Sequence, residues 1–281
     1  MRIPQWTKNF FIFAALIFSQ NFFNLSYLLR CVGAFFIFSL LTGSVYIIND
    51  IVDRESDKLH PLKSKRPITS GNLDITAAKF TAILLCAISL ITSFFLSRGF
   101  FYVCIVYFLL MLSYSFILKK VVILDVLTIS IAFVLRAVAG AVVIQVKISV
   151  WLFICTILLA LFLALNKRRY ELVTLETNAQ HHRKSLLEYS PYLLDQMISV
   201  VTAATLVAYC IYTVAPETVR KFHTEGLVLT IPFVIYGIFR YLYLVHKKES
   251  GGSPERTLLE DKPLVVGIIL WIVAVGIIIY L

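Results

Sequence analysis

Nine apolar stretches recur along the chain, over residues 9–24, 28–50, 75–97, 100–118, 122–145, 149–166, 196–214, 226–246 and 263–281. Each approaches the roughly 20 residues with which a helix crosses about 30 Å of hydrocarbon, where every backbone N–H and C=O has to be satisfied within its own segment. This pattern predicts an all-α fold, a polytopic membrane protein of nine transmembrane helices. Of 281 residues, 59% are hydrophobic and 15% charged. The spans therefore use up the length, and residues 1–281 are expected to form a single integral membrane domain.

The basic residues are unevenly shared between the two sides. Alternating the spans puts 18 of the 26 Lys and Arg on the side that carries the N-terminus, among them Arg2, Lys8, Lys119, Lys120, Lys247, Lys248, Arg256 and Lys262. By the positive-inside rule the N-terminus is cytoplasmic and the C-terminus external, in a multi-pass protein of the cell (inner) membrane. Part of the net charge of +10 is thereby topological, and no nucleic-acid partner is expected. Ser19, Gln20 and Asn21 make no small-residue cleavage site after the first apolar run, which predicts a signal anchor. The two longest polar loops, 51–74 and 167–195, both face the cytoplasm, so the active site is expected there. Cys31, Cys86, Cys104, Cys155 and Cys210 lie singly in apolar runs as packing residues. His60, His181, His182, His223 and His246 show no metal-ligand spacing.

Topology gives no reason for acids at a basic helix end, yet Asn49, Asp50, Asp53 and Asp57 stand there. If the second helix continues through its cytoplasmic end, their offsets place all four on a face about 100° wide. Carboxylates so close repel one another, and a solvated acidic helix end is the plain alternative. At the membrane interface of an acid-poor chain, a hard oxygen cluster for Mg²⁺ is the better expectation. Lys63, Lys65 and Arg66 follow on a proline-bounded loop, where ammonium and guanidinium groups can take up outward-facing phosphate oxygens. Acids for the metal and bases for the anion describe a site for a Mg²⁺-bound diphosphate, suited to reactions in which that diphosphate leaves.

Further bases point to a second anion. Lys119 and Lys120 precede Asp125, and Arg136 lies on the same helix face as Asp125, about 16 Å along it and well inside the membrane. An intramembrane arginine faces the bundle interior and is costly unless paired, which favours a functional role. Asn166-Lys167-Arg168-Arg169-Tyr170-Glu171 at the end of the sixth span fits a phosphate clamp and a topology determinant equally well.

The run Asn49-Asp50-x-x-Asp53-x-x-x-Asp57 resembles the NDxxDxxxD signature of the UbiA superfamily of intramembrane prenyltransferases. That superfamily usually carries a second acidic DxxxD motif after its sixth helix, where this chain has Asn166 to Glu171. The departure resembles one branch, the decaprenyl-phosphate phosphoribosyltransferases. Further shared positions are Arg2-x-Pro4-Gln5-Trp6-x-Lys8-Asn9, Tyr46-x-x-Asn49-Asp50, His60-Pro61-x-Lys63-x-x-Arg66-Pro67, Leu124-Asp125-Val126, Leu135-Arg136-Ala137-Val138-Ala139-Gly140, Lys167-Arg168-x-x-Glu171 and, loosely, Tyr189-Ser190-x-Tyr192-Leu193.

The resemblance implies a UbiA-like bundle, phosphoribosyl diphosphate as donor and a polyprenyl (decaprenyl-type) phosphate lipid as acceptor. Mg²⁺ on Asn49 and Asp53, with Asp50 and Asp57 directly or through water, then holds the diphosphate, the three aspartates being the catalytic set. Lys63 and Arg66, with Lys119 or Lys120, neutralise the other oxygens; Lys167 and Arg168 complete the anion site, and Tyr46 contacts the ribose. Lys8 and Arg136 position the lipid phosphate. A homo-oligomer is compatible with all of this. An aromatic-acceptor prenyltransferase would share the fold and first motif. A lipid-phosphate transporter would not need the carboxylate face, and no repeat pairing two halves is evident.

Overall fold

The computed structural model describes residues 3–58, 63–147, 149–174, 184–247, 257 and 259–281. Arg2, His60, Pro61, His181, His182, Arg183, Lys248 and Arg256 lie outside them. The described secondary structure is helical throughout. A 3₁₀ segment, Ile3–Phe13, leads into α1 (Ala14–Phe18), α2 (Leu25–Val52), α3 (Arg54–Lys58), α4 (Ile75–Leu96), α5 (Arg98–Phe116) and α6 (Leu124–Val143). There follow α7 (Val150–Thr174), α8 (Lys184–Leu187), α9 (Pro191–Val214), α10 (Pro216–Phe222), α11 (Ile231–Lys247) and α12 (Lys262–Tyr280).

Among the described residues, eight helices are long and apolar enough to cross a membrane. They coincide with eight of the nine expected spans. The stretch expected as the first, residues 9–24, is instead the 3₁₀ segment plus α1, closed by a turn at Gln20 (φ 60°). Hydropathy does not register the difference, because a 3₁₀ helix offers the same apolar surface at about 2.0 Å rise per residue rather than 1.5. Helix α7 runs to Thr174, so the cluster from Asn166 to Glu171 belongs to its last turns rather than to a loop.

Helix starts follow from side-chain caps. Asp74 accepts from the backbone N–H groups of Thr76 (2.8 Å) and Ala77 (3.1 Å) at the start of α4. Ser190 accepts from Leu193 N at 3.1 Å, with Pro191 in the first turn of α9, and Asp261 accepts from Leu264 N at 3.0 Å to start α12. Each satisfies a donor that the helix itself leaves unpaired.

The chain divides into two compact units. The first comprises residues 1–148 and 177–189. Its core joins Ile12, Leu16, Phe38, Leu41, Phe100, Tyr107 and Ala139 from the leading segment, α1, α2, α5 and α6. Gly140 makes this packing possible: a Cβ there would sit 1.8 Å from the carbonyl oxygen of Ile12, so only a glycine lets α6 meet that backbone. The second unit comprises residues 149–176 and 190–281. There α7 packs on α9 and α11 on α12; Phe162 meets Tyr241 with ring centroids 5.3 Å apart, and Trp271 Nε1 donates to Tyr209 Oη at 2.9 Å. Phe23, Phe95, Ile83 and Leu229 stand outward and well exposed, as lipid-facing side chains do.

Candidate functional site

The acidic face forms at the end of α2. Asp53 caps that helix, and the helical register runs on through it: its N–H donates to Asn49 O at 2.9 Å, and the N–H of Asp57, in α3, donates to Asp53 O at 2.8 Å. Asp50 and Asp57, two turns apart, therefore point the same way. Arg66 reaches back from the following loop, and its Nη1 bonds Asp50 Oδ1 at 3.1 Å and also Asp57 Oδ2. Lys119 comes from the turn between α5 and α6, with its Nζ on Asp53 Oδ1 and 3.4 Å from Asn49 Oδ1; Asn49 Nδ2 in turn donates to Asp53 Oδ2 at 2.9 Å.

The sites are well shielded, since Asp50, Asp57 and Lys119 are 8%, 4% and 5% exposed. Burial pushes the Asp57 carboxyl above its ordinary value, against the opposing charges of Arg66 and Lys63. Each carboxylate of the face thus has a cation of the same unit beside it. The structure brings together Asn49, Asp50, Asp53, Asp57, Arg66 and Lys119, with Lys63 close enough for its charge to act on Asp57. Lys120 is exposed, Tyr46 half-buried on α2, and Lys8 half-buried on the leading segment.

That constellation of a carboxylate face at a helix end, closed by bases from two loops, sits in a chain whose residues 9–259 match the model of the UbiA prenyltransferase family. The chain belongs to that family. It is an enzyme of the transferase class. It is 30% identical to the decaprenyl-phosphate phosphoribosyltransferase of Corynebacterium glutamicum, over all of this chain and 86% of that protein. It is 32% identical to the protein of the same name from Mycolicibacterium smegmatis, over all of this chain and 91% of that one. Among solved structures, a UbiA homolog from Archaeoglobus fulgidus bound to DMAPP and Mg²⁺ superposes with a TM-score of 0.74 at 18% identity, covering 99% of this chain and 96% of that one. At that identity the likeness concerns the fold.

The donor set of this UbiA chain fits a hard cation. Asn49 and three aspartates offer oxygen alone, the chemistry Mg²⁺ prefers. As they stand, Arg66 and Lys119 occupy the carboxylates, and among the described residues no three acids, histidines or cysteines are gathered into a metal cluster.

Arg136, halfway along α6, is buried at 4% exposure and meets neutral groups. Its Nε donates to Asn9 Oδ1 (2.9 Å), its Nη1 to Ala132 O (2.6 Å) and its Nη2 to Tyr107 Oη (2.9 Å), with the Tyr107 and Phe133 rings 5.1 and 5.0 Å away. Asp125, expected on the same face, bonds Tyr189 instead, at 2.8 Å. In the second unit Arg168 is buried against Glu171, and Arg169 pairs with Asp195, Nη2 to Oδ2 at 3.3 Å. Lys167 is half-buried on the same helix.

Asn9 and Tyr107 bond Arg136, and Ser185 and Tyr189 bond the turn that carries Lys119; sequence reasoning gave these four no role. Asn9 and Tyr189 stood within the family pattern. Tyr107 is one of three tyrosines in the apolar run of α5, with Tyr102 and Tyr114, and the sequence does not set it apart from them.

Proposed function

We propose that this UbiA-family enzyme transfers the 5-phosphoribosyl group from phosphoribosyl diphosphate to a polyprenyl monophosphate, releasing diphosphate, as a step toward lipid-linked pentose donors for cell-envelope glycans. The observation that carries the reading is the mixed-charge face, Asp50 and Asp57 on Arg66 and Asp53 on Lys119, which can meet a metal and a polyanionic donor at once. The two relatives named decaprenyl-phosphate phosphoribosyltransferase, matched over all of this chain and 86% and 91% of their own lengths, support it, as does the basic stretch Lys167-Arg168-Arg169 of α7 at the place where the superfamily resemblance anticipates acids.

In this reading Asn49 and Asp53, with Asp50 and Asp57, would hold Mg²⁺. The ion would offset the charge that develops on the departing diphosphate. Arg66, Lys63 and Lys119 bind the diphosphate oxygens that the ion leaves open, Lys120 approaches from the solvent side, and Tyr46 contacts the ribose. By the family resemblance Lys167 and Arg168 are anion-binding residues as well. Lys8 and Arg136 position the lipid phosphate. One of its oxygens forms the new bond to the anomeric carbon as the bond to diphosphate breaks, and the electron pair leaves with diphosphate. A phosphate monoester is already anionic at neutral pH, so the chain needs no strong general base; positioning and electrostatics supply the acceleration. The active site faces the cytoplasm, where the water-soluble donor is found.

Purified protein in detergent, given labelled phosphoribosyl diphosphate, Mg²⁺ and polyprenyl phosphate, is expected to move label into the lipid phase. If it does not, while prenyl diphosphate and an aromatic acid react, the reading is wrong and the chain is an aromatic-acceptor prenyltransferase.

A further inference from the structure

The turn that presents Lys119 is held in a costly conformation from outside its own segment. Between α5 and α6 the chain makes a γ-turn at Ile123, with φ +69° and ψ −46°, and Leu124 N donates to Val122 O at 2.8 Å. A γ-turn of this hand is rare and strained, more so at a β-branched residue, whose Cβ crowds the backbone when φ is positive. Such an outlier persists only where its surroundings over-determine it.

Here the surroundings come from a segment more than sixty residues away in sequence. Tyr189 Oη accepts from Ile123 N at 2.7 Å and donates to Asp125 Oδ1 at 2.8 Å, so one hydroxyl ties both sides of the turn. Asp125 is fully buried and Tyr189 nearly so. Four residues before Tyr189, the fully buried Ser185 donates from Oγ to the carbonyl oxygen of Lys119 itself, at 2.9 Å. The Lys119 main chain is thereby pinned at its own carbonyl and, four residues on, at the turn, while its side chain extends to Asp53 and Asn49.

We infer that Tyr189 and Ser185 are positioning residues that hold Lys119 over the carboxylate face, so that the ammonium is set before the anion arrives. The inference rests on the proposed function only in that the anion is a diphosphate; it does not depend on what that diphosphate carries. Neither residue touches substrate in this account. They act through Lys119, and a fixed ammonium loses no freedom on binding, whereas one on a relaxed turn must be ordered each time.

The test is a double-mutant cycle read by titration calorimetry, with Mg²⁺ and inorganic pyrophosphate as the probe and purified protein in detergent. Tyr189→Phe and Ser185→Ala should each weaken pyrophosphate binding about tenfold, as loss of a supporting partner commonly does. In a Lys119→Ala background the same changes should add less than about twofold, because the residue they act through is gone. Equal effects in both backgrounds would overturn the inference, and so would unchanged binding in both single variants. If Tyr189→Phe does not fold, Ser185→Ala gives the same reading at the other tether. Phosphoribosyl transfer measured on the wild type separates the two claims. No transfer with the coupling intact rejects the proposed donor and leaves the positioning role standing; transfer without coupling does the reverse.

Discussion

Arg66 bridges two carboxylates and Lys119 closes on a third, so the same two cations that pair the acids at rest are those assigned to the diphosphate. On the proposed function, Asp53→Asn should lower ribosyl transfer about a hundredfold by removing one fixed charge at the departing group, and Lys63→Ala should do so comparably; near-normal rates in both would remove the site assignment. Arg136 makes a different forecast. It has neutral partners within the membrane, and Arg136→Met keeps length and apolar packing while removing the charge. The KM for polyprenyl phosphate should rise about tenfold with the donor KM unchanged, since one charge-assisted contact contributes about that much. A rise in donor KM alone would move Arg136 to the other substrate. The acids were legible in the sequence because helical periodicity alone puts Asp50 and Asp57 on one face. Their partners were not. The pairing of Lys119 with Asp53 and of Tyr189 with Asp125 joins residues more than sixty positions apart, and no periodicity encodes such closures.

At the scale of elements, the leading 3₁₀ segment is where expectation and structure part. Hydropathy identifies residues 9–24 as an apolar span but is blind to rise per residue, so an α-helix is the natural expectation. What fixes the segment is tertiary: Gly140 against the Ile12 carbonyl, and Asn9, whose Nδ2 donates to Ser39 Oγ at 2.9 Å while its Oδ1 receives Arg136. Gly140→Ala cannot be absorbed by a side-chain shift, because the obstacle is backbone. It should destabilise the protein by about 3 kcal/mol, the upper part of the range for overpacking, and lower the thermal midpoint in detergent. The cap of α4 gives a pH forecast. Backbone N–H groups of Ala77 and Thr76 hold the Asp74 carboxyl below its ordinary value. Its contribution is present in full above the ordinary carboxylate pKa and is lost as pH falls through the lowered folded value. Protection of the Thr76 and Ala77 amides, relative to the intrinsic exchange rate at each pH, should accordingly fall only in that acid window, and in Asp74→Ala it should be low at every pH.

For the whole molecule, the eight long helices were legible to within a few residues, save at the polar ends of α7 and α9, because lipid forces each to satisfy its own backbone and so to declare itself as an apolar run, while a helix that continues past the lipid carries no such signal. With the leading 3₁₀ segment and α1 counted as the first of nine crossings, the positive-inside rule gives an orientation that makes its own prediction. A reporter that is active only outside the cytoplasm should be silent at the N-terminus and at Lys65, and active after Leu281; the opposite pattern would invert the positive-inside assignment. The paired charges of the α2 face have a consequence for how the intact enzyme loads. On the proposed function, a lone metal ion would meet Arg66 and Lys119, and a lone diphosphate Asp50, Asp53 and Asp57, so like charge would oppose each. Metal and diphosphate entering together would exchange partners with the pairs already there, the ion taking up the carboxylates and the anion the bases. The ion cancels part of the anion's charge before it arrives, so affinity should depend less steeply on ionic strength than that of an open basic pocket.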